Sequence, residues 1–212
     1  MNYIEVSNVS KKYKDRMLVD DVSFTVEKGK ILGIVGLNGS GKTVLLKCIC
    51  GLMDYSGGTI TVNGKVIGKD CEYPANMGVI IETPGFLPYH SGYKNLEYLA
   101  SLRKKISKQD IKDVLIKVGL AGEEKKLVAK YSLGMRQRLG IAQAIMENPE
   151  LLILDEPMNG LDKDGIAEVR KLLLEMKAEG KTMIITSHNE EDIKVLCDKV
   201  IEMDKGKMVS ML

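Results

Sequence analysis

A chain of 212 residues with 44% apolar and 28% charged positions is long enough for one sizeable core and too apolar to remain disordered. Its net charge of +2, with lysines scattered among acids, excludes the basic stripe that grips nucleic acid, so no nucleic-acid partner is expected. No stretch reaches the ~18–20 apolar residues that cross a bilayer, the start Met1-Asn2-Tyr3-Ile4-Glu5-Val6 lacks a signal-peptide layout, and the four cysteines lack the paired spacing of a zinc site. The chain is therefore expected in the cytosol with its thiols reduced.

In chain order, residues 3–9, 22–26 and 59–62 alternate apolar with polar, as strands of a half-exposed antiparallel sheet do. Residues 31–35, 78–81, 151–154 and 183–185 are continuous apolar runs, the pattern of strands buried on both faces of a mostly parallel sheet. Residues 86–148 read as helical throughout; Ser107 with Asp110 forms a capping box, after which Ile111, Val114, Leu115 and Val118 recur at helical spacing before Gly119. Further helices are predicted over 162–178, with Ile166, Val169, Leu172, Leu173 and Met176 on one face, and over 189–197. The expected fold is α/β in a single domain over 1–212. Segments 1–85 and 149–212 form the sheet core with an N-terminal antiparallel β layer, and 86–148 form an inserted helical subdomain.

The strongest chemical signal is Gly36-Leu37-Asn38-Gly39-Ser40-Gly41-Lys42-Thr43, which follows an apolar strand and opens a helical run at Val44. Glycines let the backbone wrap closely so that its N–H groups face phosphate oxygens, and the helix start adds about half a positive charge. Lys42 would reach the β- and γ-phosphates of a nucleotide, and the Thr43 hydroxyl would ligate Mg²⁺. Downstream, the strand at 151–154 ends in Asp155-Glu156-Pro157. Successive strand residues point opposite ways, so the two acids can divide the work. Asp155 would hold Mg²⁺, and Glu156 would polarise the attacking water as general base.

With these two motifs the chain resembles P-loop NTPases, and the segment Tyr131-Ser132-Leu133-Gly134-Met135 narrows the class. It resembles the ABC signature, usually Leu-Ser-Gly-Gly-Gln: Ser132 and Gly134 keep the pattern, while Tyr131, Leu133 and Met135 depart from it. Ser132 also suits a helix N-cap. The resemblance continues through Asn159-Gly160-Leu161-Asp162, similar to the D-loop, and His188, similar to the switch histidine; Asp162 also suits a helix N-cap. Tyr13 is similar to the aromatic residue that stacks on adenine, or is a surface ring. In this family Ser132 and Gly134 would bind the γ-phosphate of ATP held by the opposite subunit, which implies a head-to-tail dimer, either a homodimer or a paired ATPase.

The resemblance further implies ATP and Mg²⁺ as ligands, ATP hydrolysis, a separate membrane-spanning permease subunit, and a place on the inner face of the cell membrane through that permease. Glu82 stands where most members carry a glutamine that touches Mg²⁺ or the attacking water. With the signature variant, it makes the chain similar to the bacitracin and lantibiotic export or self-immunity group. The alternative is a soluble ABC ATPase acting on ribosomes or DNA, which usually carries two ATPase halves or a coiled-coil arm.

Overall fold

The computed structural model describes residues 1–211, which build two sheets with helices on the larger one. The N-terminal layer is a four-stranded antiparallel sheet of β1 (Asn2–Tyr13), β2 (Arg16–Glu27), β4 (Gly57–Val62) and β5 (Lys65–Val66), ordered β2-β1-β4-β5. The main sheet also contains β3 (Ile31–Val35), β6 (Met77–Ile80), β7 (Leu151–Asp155), β8 (Thr182–Thr186), β9 (Lys199–Asp204) and β10 (Lys207–Met211). Its order is β10-β9-β3-β8-β7-β6, parallel except for the terminal hairpin β9–β10.

Alternation along the central strands decides how the core divides. Leu152 and Leu154 of β7 face the helical side, with Ile31, Met183 and Ile185. Leu151 and Ile153 face the other way, into a second core with Leu32, Ile34, Ile184 and α1 (Lys42–Ile49) beneath the antiparallel sheet. Every residue of β7 and β8 is buried, which is why these strands read as unbroken apolar runs. The phase of β7 also aims Asp155 to the same side as Leu151 and Ile153, toward the start of α1.

Between β6 and β7 the chain is helical: α2 (Gly92–Arg103), α3 (Lys108–Lys117), a short 3₁₀ turn and α4 (Leu133–Ile145). Ser107 caps α3 as its spacing predicts, its N–H donating to Asp110 Oδ2 at 2.6 Å while Asp110 N–H returns a bond to Ser107 Oγ at 3.3 Å. Helices α5 (Lys163–Ala178) and α6 (Glu190–Leu196) complete the helical face. Cys48 and Cys50 are free and buried, and burial pushes their thiols up to about 11 and about 12, so they act as small apolar side chains.

The structure differs from the sequence reading at the sheet margins. Strands β1 and β2 run to the tip of their hairpin, well past residues 9 and before 22, because register shifts absorb the break in alternation around Asn8 and Ser10. The hairpin β9–β10 lies where no element was predicted; charged residues break its apolar pattern, although Ile201 and Met203 are both buried.

Candidate active site

The loop that follows β3 holds its shape through glycine backbones and through contacts with two neighbouring elements. Gly36 sits at φ 143° with the Met203 carbonyl so close that no side chain could be added. Gly41, at φ 106°, would place a Cβ 2.6 Å from the Leu18 carbonyl. The loop thus lies between β2 and the β9–β10 turn, where Gly206 N–H donates to the Ser40 carbonyl at 2.8 Å. Lys42, only 6% exposed, donates from Nζ to the Gly36 and Leu37 carbonyls at 2.6 and 3.1 Å. Burial draws its pKa down, and the nearby carboxylates of Glu156 and Asp155 oppose that shift.

At the carboxyl end of β7, Asp155 accepts from Thr43 Oγ1 at 2.8 Å on one oxygen and from Thr186 Oγ1 at 2.6 Å on the other. Thr186 ends β8 fully buried, and its hydroxyl oxygen accepts from Glu156 N–H at 2.8 Å. Glu156 takes a left-handed backbone at φ 51°, which turns its carboxylate toward His188. His188 N–H donates to Glu156 Oε2 at 3.3 Å. His188 Nε2 lies 3.1 Å from Oε1 without forming a hydrogen bond, so Oε1 is buried with no donor. Burial pushes the Glu156 carboxyl above the ordinary range, chiefly against the pull of His188, and so makes the carboxylate a better proton acceptor.

These groups meet at a cavity of about 440 Å³. Of the residues singled out in the sequence, Asn38, Gly39, Gly41, Lys42, Thr43, Val44, Asp155, Glu156 and His188 line it. Gly36, Leu37 and Ser40 belong to the same loop, with Ser40 Oγ buried and unpartnered. Arg16, Met17 and Leu18 of β2, with Lys205 and Gly206, close the other side. Tyr13 is 61% exposed at the hairpin tip and does not line the cavity. Nor does Glu82, whose carboxylate pairs with Lys47 Nζ at 2.6 Å.

Ser132, Gly134 and Asp162 gather elsewhere. Ser132 Oγ caps α4 by accepting from Met135 N–H at 3.1 Å, and Asp162 caps α5 by accepting from Gly165 N–H at 3.0 Å. A Cβ on Gly134 would stand 3.0 Å from the Gly160 carbonyl, so the start of α4 abuts the 159–162 loop. Tyr131 is buried and its O–H donates to the Glu123 carbonyl at 3.1 Å, which ties this segment to the rest of the helical block.

Two residues that shape the site have no role of their own from the sequence, although each lies within a motif segment, Thr186 in Thr186-Ser187-His188-Asn189 and Gln137 in the signature segment 131–139. One is Thr186. The other is Gln137, on α4, whose side-chain amide donates to the Glu156 and Pro157 carbonyls at 3.2 and 2.9 Å and so clamps the turn after β7.

The ABC transporter family profile matches residues 19–159. An ABC transporter ATP-binding protein of Bacillus subtilis, YybJ, is 46% identical over 205 residues, covering 97% of this chain and 94% of that protein. The bacitracin transport ATP-binding protein BcrA of Enterococcus faecalis is 43% identical over 208 residues, covering 97% and 68%. A solved ATP-binding cassette in a dimeric post-hydrolysis state, bound to ADP and Pi, superposes with a TM-score of 0.90 at 19% identity, covering 99% of this chain and 97% of that one, and so shares its fold. The glycine loop 36–43, paired acids and histidine around one cavity, on a fold and sequence of this kind, lead to one conclusion: the chain belongs to the ABC transporter family, as one of its ATP-binding, ATP-hydrolysing subunits.

Proposed function

We propose that the chain is the cytoplasmic motor of an exporter that carries a peptide antibiotic or drug out of the cell or protects the cell from it, with a separate membrane-spanning permease. The observation that carries the motor reading is the grouping of Lys42, Thr43, Asp155, Glu156 and His188 around one cavity. The likeness to the bacitracin transport protein supports the cargo class. Among the described residues no helix is long and apolar enough to cross a membrane.

In this reading the phosphates of ATP lie along the loop 36–43, with Lys42 leaving its loop carbonyls for the β- and γ-phosphates. A magnesium ion fits beside them, because Thr43 Oγ1 and Asp155 Oδ2 are hard oxygen donors 2.8 Å apart and Mg²⁺ completes its shell from water and phosphate. Thr43 and Asp155 would hold the ion; Glu82 would join them only on leaving Lys47. When bound, the ion neutralises phosphate charge. Glu156 takes a proton from the attacking water, and His188 hydrogen-bonds the γ-phosphate. Adenine meets the β1–β2 hairpin, where Tyr13 is exposed. Ser132, Gly134 and Asp162 contact ATP held by a second copy or a paired ATPase.

The exporter reading is tested by solubilising native membranes in detergent, isolating the chain, and measuring phosphate release with and without peptide antibiotic. A membrane-spanning subunit should co-purify, and the peptide should stimulate release. Isolation without any membrane subunit would refute the exporter reading.

A further inference from the structure

Outside the cavity, a buried carboxylate with a partly exposed arginine partner touches the site at a single point. Asp192, on α6, is 2% exposed, and both its carboxylate oxygens are engaged. Oδ1 meets Arg170 Nε at 2.7 Å and Nη2 at 2.6 Å; Oδ2 accepts from Ser187 Oγ at 2.8 Å. Ser187 is itself 4% exposed, and its hydroxyl oxygen accepts from Asn189 N–H at 3.1 Å. The residues on both sides of His188 are therefore bound, directly or through one hydroxyl, to the same carboxylate. Arg170 projects from α5, so the fixed end of the network is the helix that Asp162 caps.

We propose that Asp192 is a positioning residue for hydrolysis, which acts through Ser187 to hold His188 against Glu156, with Arg170, which also meets Glu191 Oε2 at 3.2 Å, as its counter-ion. The proposal rests on the reading of His188 given above. The His188 side chain is 48% exposed, so packing alone does not fix the imidazole. Its place depends on a backbone whose N–H donates to Glu156 Oε2 at 3.3 Å; Asn189 also caps α6 by accepting from Glu191 N–H at 2.8 Å, and Ser187 Oγ is the link that ties this turn to Asp192. A buried ion pair adds little net stability over an apolar pair of the same volume, so its use here is better explained by geometry than by folding energy.

The test measures kcat and KM for ATP by phosphate release, with thermal melting in parallel, for Ser187→Ala, Ser187→Thr and Asp192→Asn in the natural chain and in a His188→Ala background. Ser187→Ala removes one hydroxyl and Asp192→Asn keeps the side chain's shape. Each should lower kcat by about tenfold to a hundredfold, as expected when a catalytic group is displaced by a fraction of an ångström, with KM little changed. Ser187→Thr keeps the hydroxyl and should retain most of kcat. In the His188→Ala background the Ser187 and Asp192 losses should vanish, since there is no imidazole left to place. Unchanged kcat for Ser187→Ala, losses that multiply with His188→Ala, or losses confined to melting temperature would overturn the proposal. Normal turnover in His188→Ala alone would instead overturn the reading of the histidine, and with it the network's role.

Discussion

The carboxylate of Asp155 is held from two sides, by Thr43 and by Thr186; Thr43 has a role legible from its motif, while Thr186, two residues before His188, does not. The loop 36–43 and the pair Asp155-Glu156 are legible because phosphate binding demands particular residue types at fixed spacing. Thr186 and Gln137 each act through two hydrogen bonds that tertiary structure creates, and a buried threonine at a strand end looks like any β-branched core residue. Thr186→Val keeps the shape but leaves Glu156 N–H without its acceptor; it should cost about 1–3 kcal/mol in urea unfolding and slow phosphate release. Lys42→Ala should abolish release and greatly weaken binding of a fluorescent ATP analogue, because the phosphates lose their counter-cation. Glu82→Gln should leave release broadly intact, since Glu82 faces Lys47 outside the cavity lining. A loss of about a hundredfold or more there would show that its charge serves the metal or the water, as removing a catalytic acid–base group does.

Among the elements, β3, β7 and β8 were legible as apolar runs because helices and a second sheet cover both faces. The hairpin β9–β10 was not, since Glu202, Asp204, Lys205 and Lys207 break up its short apolar alternation. Only the inward phase of Ile201 and Met203 before the Lys205-Gly206 turn could have revealed it. Its position gives it a role beyond closing the sheet edge. The Met203 carbonyl lies against Gly36, and Gly206 N–H bonds the Ser40 carbonyl, so this hairpin backs the loop 36–43. Ile201→Ala removes a fully buried side chain and should lower stability by about 2–5 kcal/mol in denaturant titration. If the hairpin supports the loop, the same variant should also bind ATP more weakly at temperatures where it remains folded; unaltered affinity would separate the two roles.

At the scale of the whole molecule, the groups assigned to ATP fall on two surfaces. Lys42, Thr43, Asp155, Glu156 and His188 line the cavity; Ser132, Gly134 and Asp162 do not, and they sit where the 132–134 segment abuts the 159–162 loop. In the proposed reading one chain alone brings only part of the assigned set to its nucleotide, and a second copy or a paired ATPase turned head to tail would supply the rest. Glu156→Gln preserves shape while removing proton-accepting power, so ATP should bind and persist uncleaved, held between two subunits. The measurement is size-exclusion chromatography with light scattering on Glu156→Gln, with ATP, with ADP, and with ATP after adding Ser132→Arg, which obstructs the start of α4 without touching the phosphate loop. The predicted result is a dimer with ATP, a monomer with ADP, and a monomer again in the double variant. An oligomeric state of Glu156→Gln that does not change with ATP would contradict the shared-site mechanism.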